Sequence, residues 1–141
     1  MRYLLDTNVL SEARKQPAKR DPVFHGWIET TPALEAAVSV ITLGEILAGV
    51  IRLERRDPVQ GAHLHSWYGN VLAQFHGRIL PVTSDIADIE AGFQANGPVP
   101  KAGALIAATA RWHGLMLVTR NVQDFRCTGV LWFNPWTLQS G

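Results

Sequence analysis

The chain has one cysteine, Cys127, among 141 residues, so no internal disulfide and no cysteine-based zinc site can form. It lacks an apolar run of the roughly 18–20 residues that a membrane span needs. The start, "MRYLLDTNV", puts an aspartate straight after two leucines and does not read as a secretory signal. The expectation is a cytoplasmic protein with no membrane partner. Charge imbalance is missing too: 13 Lys and Arg against 12 Asp and Glu give a formal +1, which neither demands nor excludes nucleic acid. Neither glycine-rich phosphate loop, G-x-G-x-x-G or G-x-x-x-x-G-K, occurs.

What is present points to one compact domain spanning residues 1–141. Hydrophobic residues make up 47% and charged residues 18%, enough for a core and too little charge for disorder. Short apolar segments read as strands: "RYLL" at 2–5, "AAVSV" at 36–40, "RILPV" at 78–82, "LMLVT" at 115–119 and "VLWF" at 130–133. Helical patterns fall between them. One is capped by Asn8 or Thr7 and runs to Arg14; others span Val23 to Thr30, "TLGEILAGVIRLE", Pro58 to His76, a stretch capped by Ser84, and "VPKAGALIAATARWHG" at 99–114. Strands alternating with helices predict an α/β fold, a short parallel sheet covered by helices on both faces.

In such sheets ligands bind beyond the carboxyl ends of the strands, so acids at strand exits carry the interest. Asp6 follows the first strand, Glu45 lies one turn into the helix after the second, and Asp124 follows "LMLVT" within "RNVQDF". Carboxylates without His or Cys are what Mg²⁺ or Mn²⁺ takes, and such an ion suits phosphodiester hydrolysis. Each acid also has a structural reading. Asp6 can satisfy a strand-to-helix turn, Glu45 can close a capping box with Thr42, and Asp124 can close a turn with Asn121. Asp85, Asp88 and Glu90 read as structural acids near the start of a helix. His63 and His65, two apart on a helix, point away from each other and cannot share an ion there.

The ordered motifs "LLDTNVLSE", "ITLGEI", "ALIAATARWHG", "LVTRNVQDF" and "NPW" resemble those of PIN-domain ribonucleases, most closely the VapC/FitB toxins of bacterial toxin–antitoxin pairs. The resemblance covers essentially the whole chain. It implies an RNA-cleaving domain that binds Mg²⁺ or Mn²⁺ through Asp6, Glu45 and Asp124, with Thr119 and Asn121 as polar neighbours. It also implies a homodimer, a VapB-like antitoxin, and a larger assembly on DNA through that antitoxin.

One departure stands out. The family's remaining acid opens a helix in a motif like "ADALIAATA", whereas this chain reads "AGALIAATA" with Gly103 in that place. The expectation is an impaired metal site. The alternative is a catalytically inactive PIN domain that binds RNA or antitoxin, and the structural reading of Gly103 is a close helix–strand approach. A receiver domain fits poorly, since Asp6 stands alone and "LMLVTRN" has no lysine. For RNA phosphates the candidate cations are Arg14, Lys15 and Arg120, within a cluster that also holds Lys19 and Arg20. Arg52, Arg55 and Arg56 form a second basic cluster.

Overall fold

In the computed structural model, which describes residues 1–141, neighbouring residues of each short strand face opposite sides of one sheet. The strands are β1 (Tyr3–Leu5), β2 (Ala36–Ser39), β3 (Ile79–Leu80), β4 (Met116–Val118), β5 (Trp132–Asn134) and β6 (Gln139–Ser140). Leu4, Ala37 and Leu117 pack on one face, while Leu5, Val38 and Val118 pack on the other. That period of two, with apolar residues on both faces, is what a parallel strand buried on both sides requires.

Six α-helices supply the covering layers: α1 (Thr7–Arg14), α2 (Pro22–Thr30), α3 (Val40–Arg56), α4 (Pro58–Gln74), α5 (Ser84–Ala95) and α6 (Lys101–His113). Ile86 and Phe93 of α5 and Ile106 and Ala107 of α6 bury one face. Val9, Phe24, Leu43 and Val71, one from each of α1 to α4, bury the other. Short 3₁₀ turns occupy Pro17–Lys19, Ala33–Glu35 and Val122–Thr128.

The strand order is β3-β2-β1-β4-β5-β6, parallel except for the β5–β6 pair. The chain winds outward from β1 through β2 and β3, then returns to β1's other side with β4. The switch point therefore lies between β1 and β4, where doubly wound sheets open a crevice.

The fold follows the sequence expectation with local corrections. Sequence patterning ends the sheet at "VLWF", whereas β6 adds an antiparallel strand beside β5 after a turn in which Leu138 takes φ 60°. Nothing apolar marks "QS", which pairs through its backbone. Helix starts also shift. Asp6, rather than Thr7 or Asn8, caps α1; Ser39 caps α3, accepting from the Ile41 amide at 3.0 Å; and Thr83, rather than Ser84, caps α5. The α6 expectation holds, ending at Gly114 in the left-handed region, φ 65°.

Candidate metal and RNA site

Asp6 leaves β1 in extended conformation and turns the chain into α1, so its side chain is fixed at the switch point. Its Oδ1 accepts from the Thr7 amide at 2.8 Å, which is the capping bond. Its Oδ2 accepts from the Thr119 hydroxyl at 2.8 Å and from Asn8 Nδ2 at 3.3 Å. Thr119, at the exit of β4, in turn accepts from the Asn121 amide at 3.1 Å, and Asn8 Oδ1 accepts from the Arg120 amide at 3.2 Å. The loops after β1 and β4 are thereby stitched together around one buried carboxylate.

Burial raises the pKa of Asp6 most, and the nearby negative charge of Asp124 adds to that rise. Bonds from Thr119, Thr7 and Asn8 pull the other way without cancelling it. Asp6 is both a helix cap and a carboxylate under electrostatic pressure. The structural reading of Asp6 holds: it caps α1 and closes the strand-to-helix turn.

Glu45 escapes the capping role. Because Ser39 caps α3, Thr42 lies in the first turn, buried with its hydroxyl unpartnered, and Glu45 sits farther along the helix. Glu45 Oε1 instead accepts from the Thr7 hydroxyl at 2.8 Å, linking α3 to the residue beside Asp6. Asp124 lies in the 3₁₀ turn after β4, where its amide donates to the Asn121 carbonyl at 3.1 Å.

Asp6, Glu45, Asp124, Asn121 and Gly103 line one cavity of about 620 Å³. Gly103 is the third residue of α6, whose cap, Pro100, provides no side-chain bond. A Cβ built on Gly103 meets only the Phe125 ring, at 3.5 and 3.7 Å, which is ordinary van der Waals contact. The close-approach reading of this glycine is therefore wrong, and a side chain there has room.

The donors match a hard divalent cation in kind, being carboxylate and amide oxygens with no sulfur or imidazole. They fall short in number: no group of three His, Cys, Asp or Glu side chains stands close enough to hold an ion. His63 and His65 are exposed on α4, and His65 pairs with Glu54 at 2.8 Å.

Among the candidate cations, Lys15 and Arg120 line the cavity and Arg14 does not. Arg14 lies away from it, with its guanidinium 5.7 Å from the Trp67 ring centre. Arg20 is spent on the Ala13 carbonyl at 2.6 Å and on Glu29 at 3.1 Å. Sequence reasoning missed Glu12 and Trp136 as cavity residues, and it treated Thr7 and Asn8 only as caps. The signal for Thr7 and Asn8 was their place directly after a strand-end acid. For Trp136 it was the "NPW" motif, whose role appears only once β5 lies beside β4.

A family model described as PIN domain matches residues 3–129. The chain is 36% identical to VapC ribonuclease Y4jK of Sinorhizobium fredii, covering 94% of this chain and 96% of that protein. It is 34% identical to Toxin FitB of Neisseria gonorrhoeae, covering 94% and 97%. The solved structure of FitAB bound to IR36 DNA superposes with a TM-score of 0.81 at 30% identity, covering 97% of each chain. Matched by the family model over most of its length and similar to these proteins nearly end to end, the chain belongs to the PIN-domain family, among the VapC and FitB proteins.

Proposed function

We propose that this chain is a metal-dependent endoribonuclease toxin of a toxin–antitoxin pair whose site lacks one carboxylate. The observation that carries this reading is Gly103, which faces the same cavity as Asp6, Glu45 and Asp124 and leaves space for a side chain. The names of the relatives supply the toxin and ribonuclease part, and the cavity supplies the rest.

Asp6, Glu45 and Asp124 are the carboxylates that would contribute to holding Mg²⁺ or Mn²⁺, and as they stand they form no three-carboxylate group. When bound, such an ion neutralises phosphate charge and lowers the pKa of a water. The chain's own groups do the remaining work. Thr119 and Asn8 hold Asp6 in one orientation, Thr7 does the same for Glu45, and Lys15 and Arg120 offer positive charge to the RNA backbone. Partners on this reading are a VapB-like antitoxin, RNA and a second copy of the chain, with DNA reached through the antitoxin. The cavity's acids suit an antitoxin arginine, whose guanidinium fits a carboxylate.

A second reading, a catalytically inactive PIN domain that binds RNA or antitoxin, draws on the same Gly103 and on the missing three-ligand cluster. Total cellular RNA incubated with purified Gly103→Asp and with the unmodified chain, in Mg²⁺ or Mn²⁺, separates the two. The expected result is cleavage by Gly103→Asp at least about 100-fold faster than by the unmodified chain, abolished by chelator. No cleavage by either protein favours the binding module.

A further inference from the structure

The ribonuclease reading gives Glu12 no task, yet Glu12 is a buried acid on the cavity wall. It is unsuited to holding a cation because both its oxygens are committed. Oε1 pairs with Lys15 Nζ at 2.8 Å, and Oε2 accepts from the Asp21 amide at 2.9 Å. The second bond ties the end of α1 to the cap of α2, so the carboxylate is anchored by backbone. The Lys15 side chain, 53% exposed, is thus held at the cavity rim by a nearly buried partner.

Arg120 is fixed differently. Its guanidinium lies 5.1 Å from the centre of the Trp136 ring, and it forms no ion pair within 4.0 Å. Trp136 is itself held: its amide donates to Asn134 Oδ1 at 2.9 Å, and its ring packs 4.8 Å from that of Phe24. Stacking on an aromatic face leaves the guanidinium N–H edges available, which is the geometry that phosphate recognition uses. Glu12 also feels Arg120, whose charge adds to the lowering of its pKa after the Lys15 and Asp21 bonds. The two cations therefore share one electrostatic neighbourhood while being held by separate supports.

We propose that Glu12 is a positioning residue that, together with the Arg120–Trp136 stack, sets Lys15 and Arg120 as a two-point clamp for RNA phosphates beside the acidic centre. This rests on the ribonuclease reading. The clamp accounts for a buried acid lying close to the path of a polyanion: its negative charge is spent on aiming a positive one.

The sign of one substitution tests it. The unmodified chain, poor at cleavage on this reading, allows binding to be measured by anisotropy of a dye-labelled, mixed-sequence single-stranded RNA over a salt titration. Lys15→Gln and Arg120→Gln are each expected to weaken binding and to lower the log–log salt slope by about 0.7, the value for one single-strand phosphate contact. Glu12→Gln raises the net charge by one, so a bulk-charge role predicts tighter binding. The clamp predicts weaker binding, a reduced slope, and no further loss when Lys15→Gln is added. In the Gly103→Asp form, Glu12→Gln is expected to raise KM for RNA and leave kcat nearly unchanged.

Tighter or unchanged binding by a folded Glu12→Gln overturns the clamp. If that variant is unfolded by circular dichroism, Lys15→Gln and Trp136→Leu decide, and an unchanged slope in both overturns it. If the parent shows no salt-dependent RNA binding and Gly103→Asp does not cut RNA, the ribonuclease reading falls and the clamp with it. RNA binding or cleavage without a Glu12 effect sinks the clamp alone.

Discussion

The two walls of the cavity are built to different standards. On the β1–β4 wall, Asp6 is held by Thr7, Asn8 and Thr119, and Thr119 is held in turn by Asn121. On the α6 wall, the helix starts at Pro100 without a side-chain cap and presents Ala102 and Gly103 to the cavity. The polar network is intact wherever it does not depend on residue 103. The two walls therefore differ in side-chain bonding, with every polar partner named here on the β1–β4 side.

The largest expected effect tests the intact wall. In the Gly103→Asp form, Asp6→Asn keeps a good helix cap but removes the buried charge. RNA cleavage should fall by at least about 100-fold while the melting temperature changes little, because relief of a buried charge offsets the loss of the acceptor for Thr119 and Asn8. A large drop in melting temperature would show that Asp6 serves structure first.

The next effect tests what holds the poorer wall in place. Glu90 of α5 is buried, with its side chain 3% exposed, and its only ion-pair partner is Lys101, the first residue of α6. One oxygen of Glu90 already lacks a partner. Lys101→Ala should cost about 1–3 kcal/mol in urea unfolding, discounted from the fully buried case because the Lys101 side chain is 74% exposed. Adding Glu90→Leu should recover most of the loss, since no buried charge then remains unpaired. Failure to recover would place the cost elsewhere in α6.

The smallest effect is a pH dependence. The Glu12 pKa is lowered by its bond with Lys15 first and then by the Asp21 amide. A carboxyl held more acidic in the folded state stabilises it above the ordinary glutamate pKa, about 4.3. That contribution is lost as pH falls through the lowered folded value. The melting temperature of Glu12→Gln should therefore lie below the parent's at pH 7, and the gap should close in acid. A gap that persists unchanged at low pH would mean that shape rather than charge matters at this position.

Much of this was legible in advance because local chemistry dictated it. Apolar pairs such as Leu4 and Leu5 announced strands buried on both faces, and Asp6 at a strand exit announced the crevice. Cap identities were harder. Several adjacent residues, such as Thr7, Asn8 and Ser84, have cap-competent side chains, and the choice depends on where the strand lets go. β6 was hidden because its two residues contribute backbone pairing and no apolar surface. Arg14 and Lys15 are neighbours in sequence, yet the chain leaves the helix between them, so that Arg14 meets Trp67 and the extended Lys15 meets Glu12 at the cavity.

The open space beside Phe125 has a meaning in genetics as well as in packing. Glycine and aspartate codons can differ by one base, and the fold puts no steric barrier in the way of that exchange. On the ribonuclease reading, a cell making this chain without an antitoxin stands one substitution from making a poison. Every descendant that regains the acid removes itself from the population. On that reading the glycine form persists because descendants that acquire the acid leave no progeny.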